Sequence, residues 1–151
     1  MKRFTSLLLL VLVVLLSACA SSTPENSSSA ENSTLSVSGG EINKAYTRTD
    51  LEGLTSSRAT FNDVAYVGIS ISTLLQDAGF NLNDVKAVKA VATDGFSANY
   101  DASQALAATV IVAYARADGD LAQEDGAFRI VMPGAEGKLN VRMLAELQVI
   151  N

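Results

Sequence analysis

The chain has 151 residues, with 11 lysines and arginines against 16 aspartates and glutamates, no histidine, no tryptophan and a single cysteine. A net charge of −5 argues against a nucleic-acid surface, which needs clustered cations to displace counterions from phosphates. One cysteine excludes an internal disulfide brace, and without histidine a serine nucleophile lacks its usual base.

Lys2 and Arg3 precede an unbroken apolar run from Leu7 to Leu16, and small residues lead to Cys19. These are the parts of an export signal. The run is too short to cross a bilayer as a helix, which takes about 20 residues. The ending Leu16-Ser17-Ala18-Cys19 resembles the lipobox of bacterial lipoproteins, which implies a leader over residues 1–18 and acylation of Cys19. Acyl chains contribute roughly 0.8 kcal/mol per buried methylene, and two or more anchor stably. The expected location is the extracytoplasmic face of a cell membrane, either periplasmic or at the cell surface. Loss of Lys2 and Arg3 leaves nine cations against 16 acids, about −7, so the lipid and not surface charge must hold the protein to anionic head groups.

Residues 19–34 are expected to be the acylated cysteine and a flexible tether. Six serines, one proline and no large apolar side chain between Ala20 and Thr34 cannot bury enough surface to offset ordering entropy. Such a coil spans about 20–25 Å on average. Asn26-Ser27-Ser28 and Asn32-Ser33-Thr34 fit the glycosylation pattern, but behind a bacterial leader they are chance matches.

Residues 35–151 are expected to form one domain. Leu35-Ser36-Val37-Ser38 alternates as a half-buried strand does. Thr49 and Glu52 have capping-box spacing, predicting a short helix over Asp50–Leu54. Ser72 should cap a helix over Thr73–Ala78, with Gly79 ending it. Val85–Thr93 reads as a strand closed by Asp94-Gly95, and Asp101 opens a short helix reaching about Leu106. Val110–Tyr114 is the candidate central strand. Phe128–Met132 and Leu147–Ile150 complete the strand set, with a Pro133-Gly134 turn and a short helix over Val141–Ala145 between them. Short strands mixed with short helices, without βαβ alternation, indicate an α+β fold built on a mixed sheet.

Asp118, Asp120, Glu124 and Asp125 cluster, but Ala122 and Gln123 fall where a twelve-residue calcium loop needs ligands, so a solvated hairpin loop is expected. Gly95, Phe96 and Tyr100 are candidates for one wall of a pocket, with burial in the core as the plainer expectation for the two aromatics.

The order of "YVGISISTLLQDAGF", "VKAVATDGFS" and "VIVAYARADGDLAQEDGAFRIVMPGAEGKLNVRML" resembles the molybdopterin-binding domain of the sulfite-oxidase family. The matching positions are Gly68, Leu74-Leu75, Asp94-Gly95-Phe96, Ala113-Tyr114, Gly126, Arg129, Pro133-Gly134, Gly137, Val141, Arg142 and Leu144. The likeness implies that family's α+β fold over residues 64–150, and more loosely from Leu35. It implies a cofactor loop, in which Gly137, Lys138, Asn140 and Arg142 are the candidates for holding a molybdopterin or other anion through backbone N–H groups and cationic side chains. Three departures weigh against family-type catalysis. The segment Ser56–Tyr66, where the family carries its molybdenum-ligating cysteine, has none, and a soft thiolate is what suits that metal. Leu139 stands where the family's last loop has an arginine, and Ala127 and Met143 replace its proline and tryptophan. The reading that follows is a non-catalytic binding or interaction module, which either holds a pterin-like or other anionic ligand or docks a redox partner protein at the membrane surface. A noncovalent molybdopterin oxidoreductase or electron carrier, and a ligand-free structural envelope protein, remain as alternatives.

Overall fold

In a computed structural model, residues 33–151 are described. Cys19, the leader, most of the expected tether and both glycosylation-pattern asparagines lie outside that range. The first sheet has the order β2-β1-β10-β5-β6, from β1 (Thr34–Gly39), β2 (Ile42–Thr47), β10 (Leu144–Ile150), β5 (Ala87–Ala92) and β6 (Ser97–Asp101). β1 and β10 run parallel and the remaining pairs antiparallel, so the sheet is mixed, as the segment pattern indicates. The second sheet runs β3 (Ser57–Phe61), β4 (Val64–Ser70), β7 (Ile111–Arg116), with β8 (Gly119–Asp120) and β9 (Arg129–Val131) pairing β7 along its other edge. The helices are α1 (Arg48–Glu52), α2 (Ile71–Ala78) and α3 (Ala102–Ala105).

The continuous apolar run in β7 is explained by its two buried faces. Val112 and Tyr114 join the main core, with Leu35, Leu74, Phe128 and Leu147. Ile111 and Ala113 point the other way, into a smaller cluster with Ala59, Tyr66 and Val131. β5 buries Val88, Ala90 and Ala92 and turns the alternate positions outward, as a period of two requires. Gly68 lets β4 and β7 approach: a Cβ there would stand 2.6 Å from the Ala113 Cα. The β4–β7 register shifts between Val67 and Gly68, as a bulge does.

Several local expectations are corrected. The first helix is capped by Thr47, not Thr49: Asp50 at N3 accepts from Thr47 N at 2.8 Å while Thr47 Oγ1 accepts from Asp50 N at 3.2 Å. Aspartate thus completes the reciprocal box in place of glutamate, and the helix starts at Arg48. Ser70, not Ser72, caps α2 through Thr73 N at 3.2 Å, and Gly79 ends the helix in the left-handed region (φ 100°). Val141–Ala145 is not helical. Met143 has φ 52°, its N–H donates to Asp125 O at 2.7 Å and its carbonyl accepts from Thr93 N at 2.9 Å, so the chain is extended into β10 by Leu144. The strands β2, β3, β4, β6 and β8 lie outside the strand set that the sequence pattern predicts. β2, β3 and β6 lie at sheet edges, where polar outward residues break the apolar pattern. The β3–β4 turn has Asn62 and Asp63 both at positive φ (48° and 62°), the hand that suits a two-residue hairpin. The helix opened by Asp101 is as expected, with a full capping box to Gln104.

Candidate functional site

The β3–β4 hairpin, the end of β7, the turn before β9 and the last loop converge on a cleft of about 380 Å³. Phe61 and Tyr66 come from the hairpin, Arg116 from β7, and Arg129 opens β9. Arg129 is a buried part of the lining. Its Nη1 donates to Asp125 Oδ1 at 2.7 Å and to the Tyr66 hydroxyl at 3.0 Å, and its Nε donates to Ile130 O at 3.4 Å. The guanidinium lies 4.7 Å from the Tyr66 ring centroid and 5.8 Å from that of Phe61, within cation–π range. The sequence marked Arg129 only as a family match; burial against two aromatics is what gives it a structural role.

Asp125 departs from the expected solvated loop. Asp118 and Glu124 are exposed and Asp120 pairs with Arg48 at 2.8 Å, but Asp125 is buried. Its Oδ2 has no hydrogen bond and faces Arg116 Nη2 at 3.7 Å, while Arg116 Nε is also without a hydrogen-bond partner. Buried polar atoms are seldom left so, and here an acceptor and a donor without hydrogen bonds are buried beneath one cleft wall. Among the described residues no three of His, Cys, Asp and Glu gather as a metal site would require.

Of the four candidate cofactor residues, Gly137, Asn140 and Arg142 line the cleft. Asn140 is buried and committed to the chain itself: Oδ1 accepts from Met132 N at 2.7 Å, and Nδ2 donates to Met132 O and Glu136 O, both at 3.3 Å. It is the clamp of the last loop rather than a free ligand group. Lys138 does not line the cleft; it pairs with Glu136 at 2.7 Å in solvent, and that hydrogen bond lowers the Glu136 pKa and raises that of Lys138. Beyond Gly137 a Cβ would meet nothing within 4 Å, so the glycine leaves open space. Tyr100 is in the core and its hydroxyl donates to Leu139 O at 2.7 Å, with burial pushing its pKa far up. Phe96 is neither core nor cleft wall: it is exposed at the β5–β6 turn.

A larger groove of about 1,080 Å³ lies on the other side of the loops carrying Gly126 and Met143, and its lining includes Arg48, Thr93 and Tyr114. Gly126 (φ 73°) is needed in that wall, because a Cβ there would stand 2.9 Å from the Met143 Cα. Arg48 bridges Glu52 and Asp120, each at 2.8 Å, 6.0 Å from the Tyr114 ring centroid. Its charge is matched within the protein. Burial raises the Tyr114 pKa, Glu52 adds to the rise, and Arg48 opposes it.

A molybdopterin whose metal is held by protein needs a soft donor in the cleft. The chain's one cysteine is Cys19, outside the described residues, and the β3–β4 hairpin offers the cleft Phe61 and Asn62. Arg129 and Asn140 are committed to Asp125 and Met132 at 2.7 Å each, whereas Arg116 faces Asp125 only at 3.7 Å, so Arg142 and, more weakly, Arg116 are the cations placed for an anionic group. The donor set does not fit a thiolate-ligated molybdenum centre.

The model of the oxidoreductase molybdopterin binding domain matches residues 25–151. The fold is similar to that of the sulfane dehydrogenase SoxCD from Paracoccus pantotrophus, with a TM-score of 0.69 at 20% sequence identity, over 80% of this chain and 39% of that one. The chain therefore spans well under half of that protein's length. No curated protein matches. The expected family fold, mixed sheets with few short helices, is the one found.

Proposed function

This chain belongs to the oxidoreductase molybdopterin binding domain family, and from that premise we propose that it is a lipid-anchored, extracytoplasmic member whose cleft binds or docks rather than catalyses. Cys19 carries the acyl anchor, and the domain meets a small anionic ligand or a redox partner protein at the membrane surface. The observation that carries this reading is the Arg129–Asp125 pair. The buried cleft arginine is neutralised by the chain's own carboxylate and lies against two aromatic rings, and the cleft lining includes no cysteine. No helix among the described residues is long and apolar enough to cross a membrane.

The test is metal analysis and an absorption spectrum of protein purified from its own host membranes. The expected result is molybdenum far below one atom per chain, and release from membranes on Cys19→Ala. Stoichiometric molybdenum that survives gel filtration and supports turnover overturns the non-catalytic reading; retention of the Cys19→Ala protein on membranes overturns the anchor.

A second reading has one observation in its favour. Arg142 is exposed and Arg116 half-buried on the same cleft, which sets two cations against the anionic group of a cofactor bound without a metal–protein bond. Bound there, a molybdopterin would supply oxo-transfer chemistry, and Arg116 and Arg142 would take its anionic group. Loss of a host-derived pterin on Arg116→Ala would support this second reading.

A further inference from the structure

One end of the first sheet gathers features that the cleft does not use. Register places the start of β1 beside the end of β2 (Thr34 opposite Thr47), the start of β10 beside the end of β5 (Leu144 opposite Ala92), and the start of β6 opposite Val91. The chain enters the domain at that end, at Ser33. Three large apolar residues are exposed among the described residues, and two are there: Phe96 (46%) on the β5–β6 turn and Met143 (40%) just before β10. The third, Ile150 (48%), pairs with Ala87 at the opposite end.

Neither side chain hangs on loose backbone. Phe96 N donates to Asp94 Oδ1 at 2.9 Å and its carbonyl accepts from Ala92 N at 2.8 Å. Met143 is held in a left-handed conformation (φ 52°) that a non-glycine residue adopts at a cost, by hydrogen bonds to Asp125 and Thr93. The Thr93 bond ties the two apolar tips together. The Thr93–Ser97 turn carries one charge, Asp94. Two apolar side chains exposed at one end of a sheet, on backbone held by hydrogen bonds, are available to an interface.

We propose that Phe96 and Met143 are the membrane-facing tip of the domain, seated at the headgroup–acyl boundary of the bilayer to which Cys19 is fastened. This rests on the acyl-anchor reading. Thirteen residues lie between Cys19 and Ser33, a length of chain that can reach at most about 50 Å, so this end is the one held nearest the lipid. At the resulting effective concentration even weak insertion is populated. The partner is the lipid surface itself, and the larger groove, lined by both Ser33 and Met143, then opens toward it.

The absence of native tryptophan allows a direct test. Acylated full-length protein carrying Phe96→Trp is reconstituted in phosphatidylcholine–phosphatidylglycerol vesicles with brominated acyl chains, and Ile150→Trp serves as the far-end control. The expected result is blue-shifted, bromine-quenched emission for Phe96→Trp, loss of that quenching when Met143→Asp is added, and unquenched emission for Ile150→Trp. Mass spectrometry of Cys19 separates the failures. With the lipid present, equal quenching at both ends or none at either overturns this face while leaving the anchor. An unmodified Cys19 in protein that leaves the membrane overturns both. A blue shift in native membranes that is absent from pure lipid vesicles assigns the tip to a protein partner and overturns the lipid assignment.

Discussion

Arg129 and Asp125 are four residues apart in the chain and joined by a 2.7 Å ion pair, with side chains only 6% and 3% exposed. Gly126 shapes the turn between them. A buried pair of this kind costs most when one partner is removed, because the other stays charged and dry. Asp125→Ala is expected to lower stability by about 3–5 kcal/mol, read from urea unfolding. Adding Arg129→Met should return much of that loss, since an apolar chain of similar length can pack against Phe61 and Tyr66. If the double variant is as unstable as the single one, the pair is not the source of the loss.

Gly68 marks the place where β4 and β7 are closest. An alanine methyl would meet the Ala113 Cα at 2.6 Å, with the Val112 carbonyl oxygen closer still. These are backbone atoms of a central strand and cannot rotate away. Gly68→Ala is expected to cost about 3 kcal/mol, the upper range for overpacking, seen as a lowered Tm and poor soluble yield. A variant with unchanged Tm would mean that the register shift at Val67 absorbs the methyl.

The parts of this fold that were legible are those where a residue's own chemistry decides its place. Val110–Tyr114 reads as a central strand because both its faces are apolar, and Gly79 and Asp101 end and begin helices as their backbone and side-chain preferences require. Of the edge strands, Ile42–Thr47 was hidden because only Tyr46 is buried in it. Ser97–Asp101 alternates strictly, with Ala98 and Tyr100 buried between exposed Ser97, Asn99 and Asp101, but over a span too short to stand out. The helix expected over Val141–Ala145 fails at Met143, whose left-handed φ is fixed by hydrogen bonds to Asp125 and Thr93. Those partners are distant in sequence and no local pattern shows them. The same holds for the cleft: Gly137 and Arg142 were identifiable from the loop, but the partnering of Asp125 with Arg129 and Arg116 depends on three separate elements meeting.

Asn140 links loop order to stability rather than to ligand affinity. Asn140→Ala leaves the buried Met132 N–H and carbonyl without their partner, and an unsatisfied buried group costs about 1–3 kcal/mol. Asn140→Asp should be worse, since a carboxylate can accept from Met132 N but would face the Met132 and Glu136 carbonyls with no proton to donate. The expected order of Tm is wild type, then alanine, then aspartate, with faster proteolysis within residues 133–139 in both variants. Unchanged Tm and proteolysis, with only ligand binding lost, would return Asn140 to the role of a ligand contact.

Asp77 gives the protein a defined response to acid. Its Oδ2 accepts from Lys44 Nζ at 2.7 Å and from the Tyr46 hydroxyl at 2.7 Å, and the Lys44 bond, followed by that of Tyr46, lowers its pKa. A carboxyl whose pKa is depressed by folding adds stability at pH above the unfolded value of about 3.9, and that stability is lost as pH falls through the folded value. Tyr46 responds in the opposite range: burial first, then Asp77, raises its pKa far above the ordinary phenol value, so its contribution is present below about pH 10 and declines as pH rises beyond that. Asp77→Asn should therefore be less stable than wild type at neutral pH, with the gap in urea midpoint closing as pH is stepped below 4. Tyr46→Phe should flatten the loss of stability on the alkaline side. A gap for Asp77→Asn that stays constant from neutral to strongly acidic pH would show that its cost comes from packing and not from the charge that Lys44 and Tyr46 hold in place.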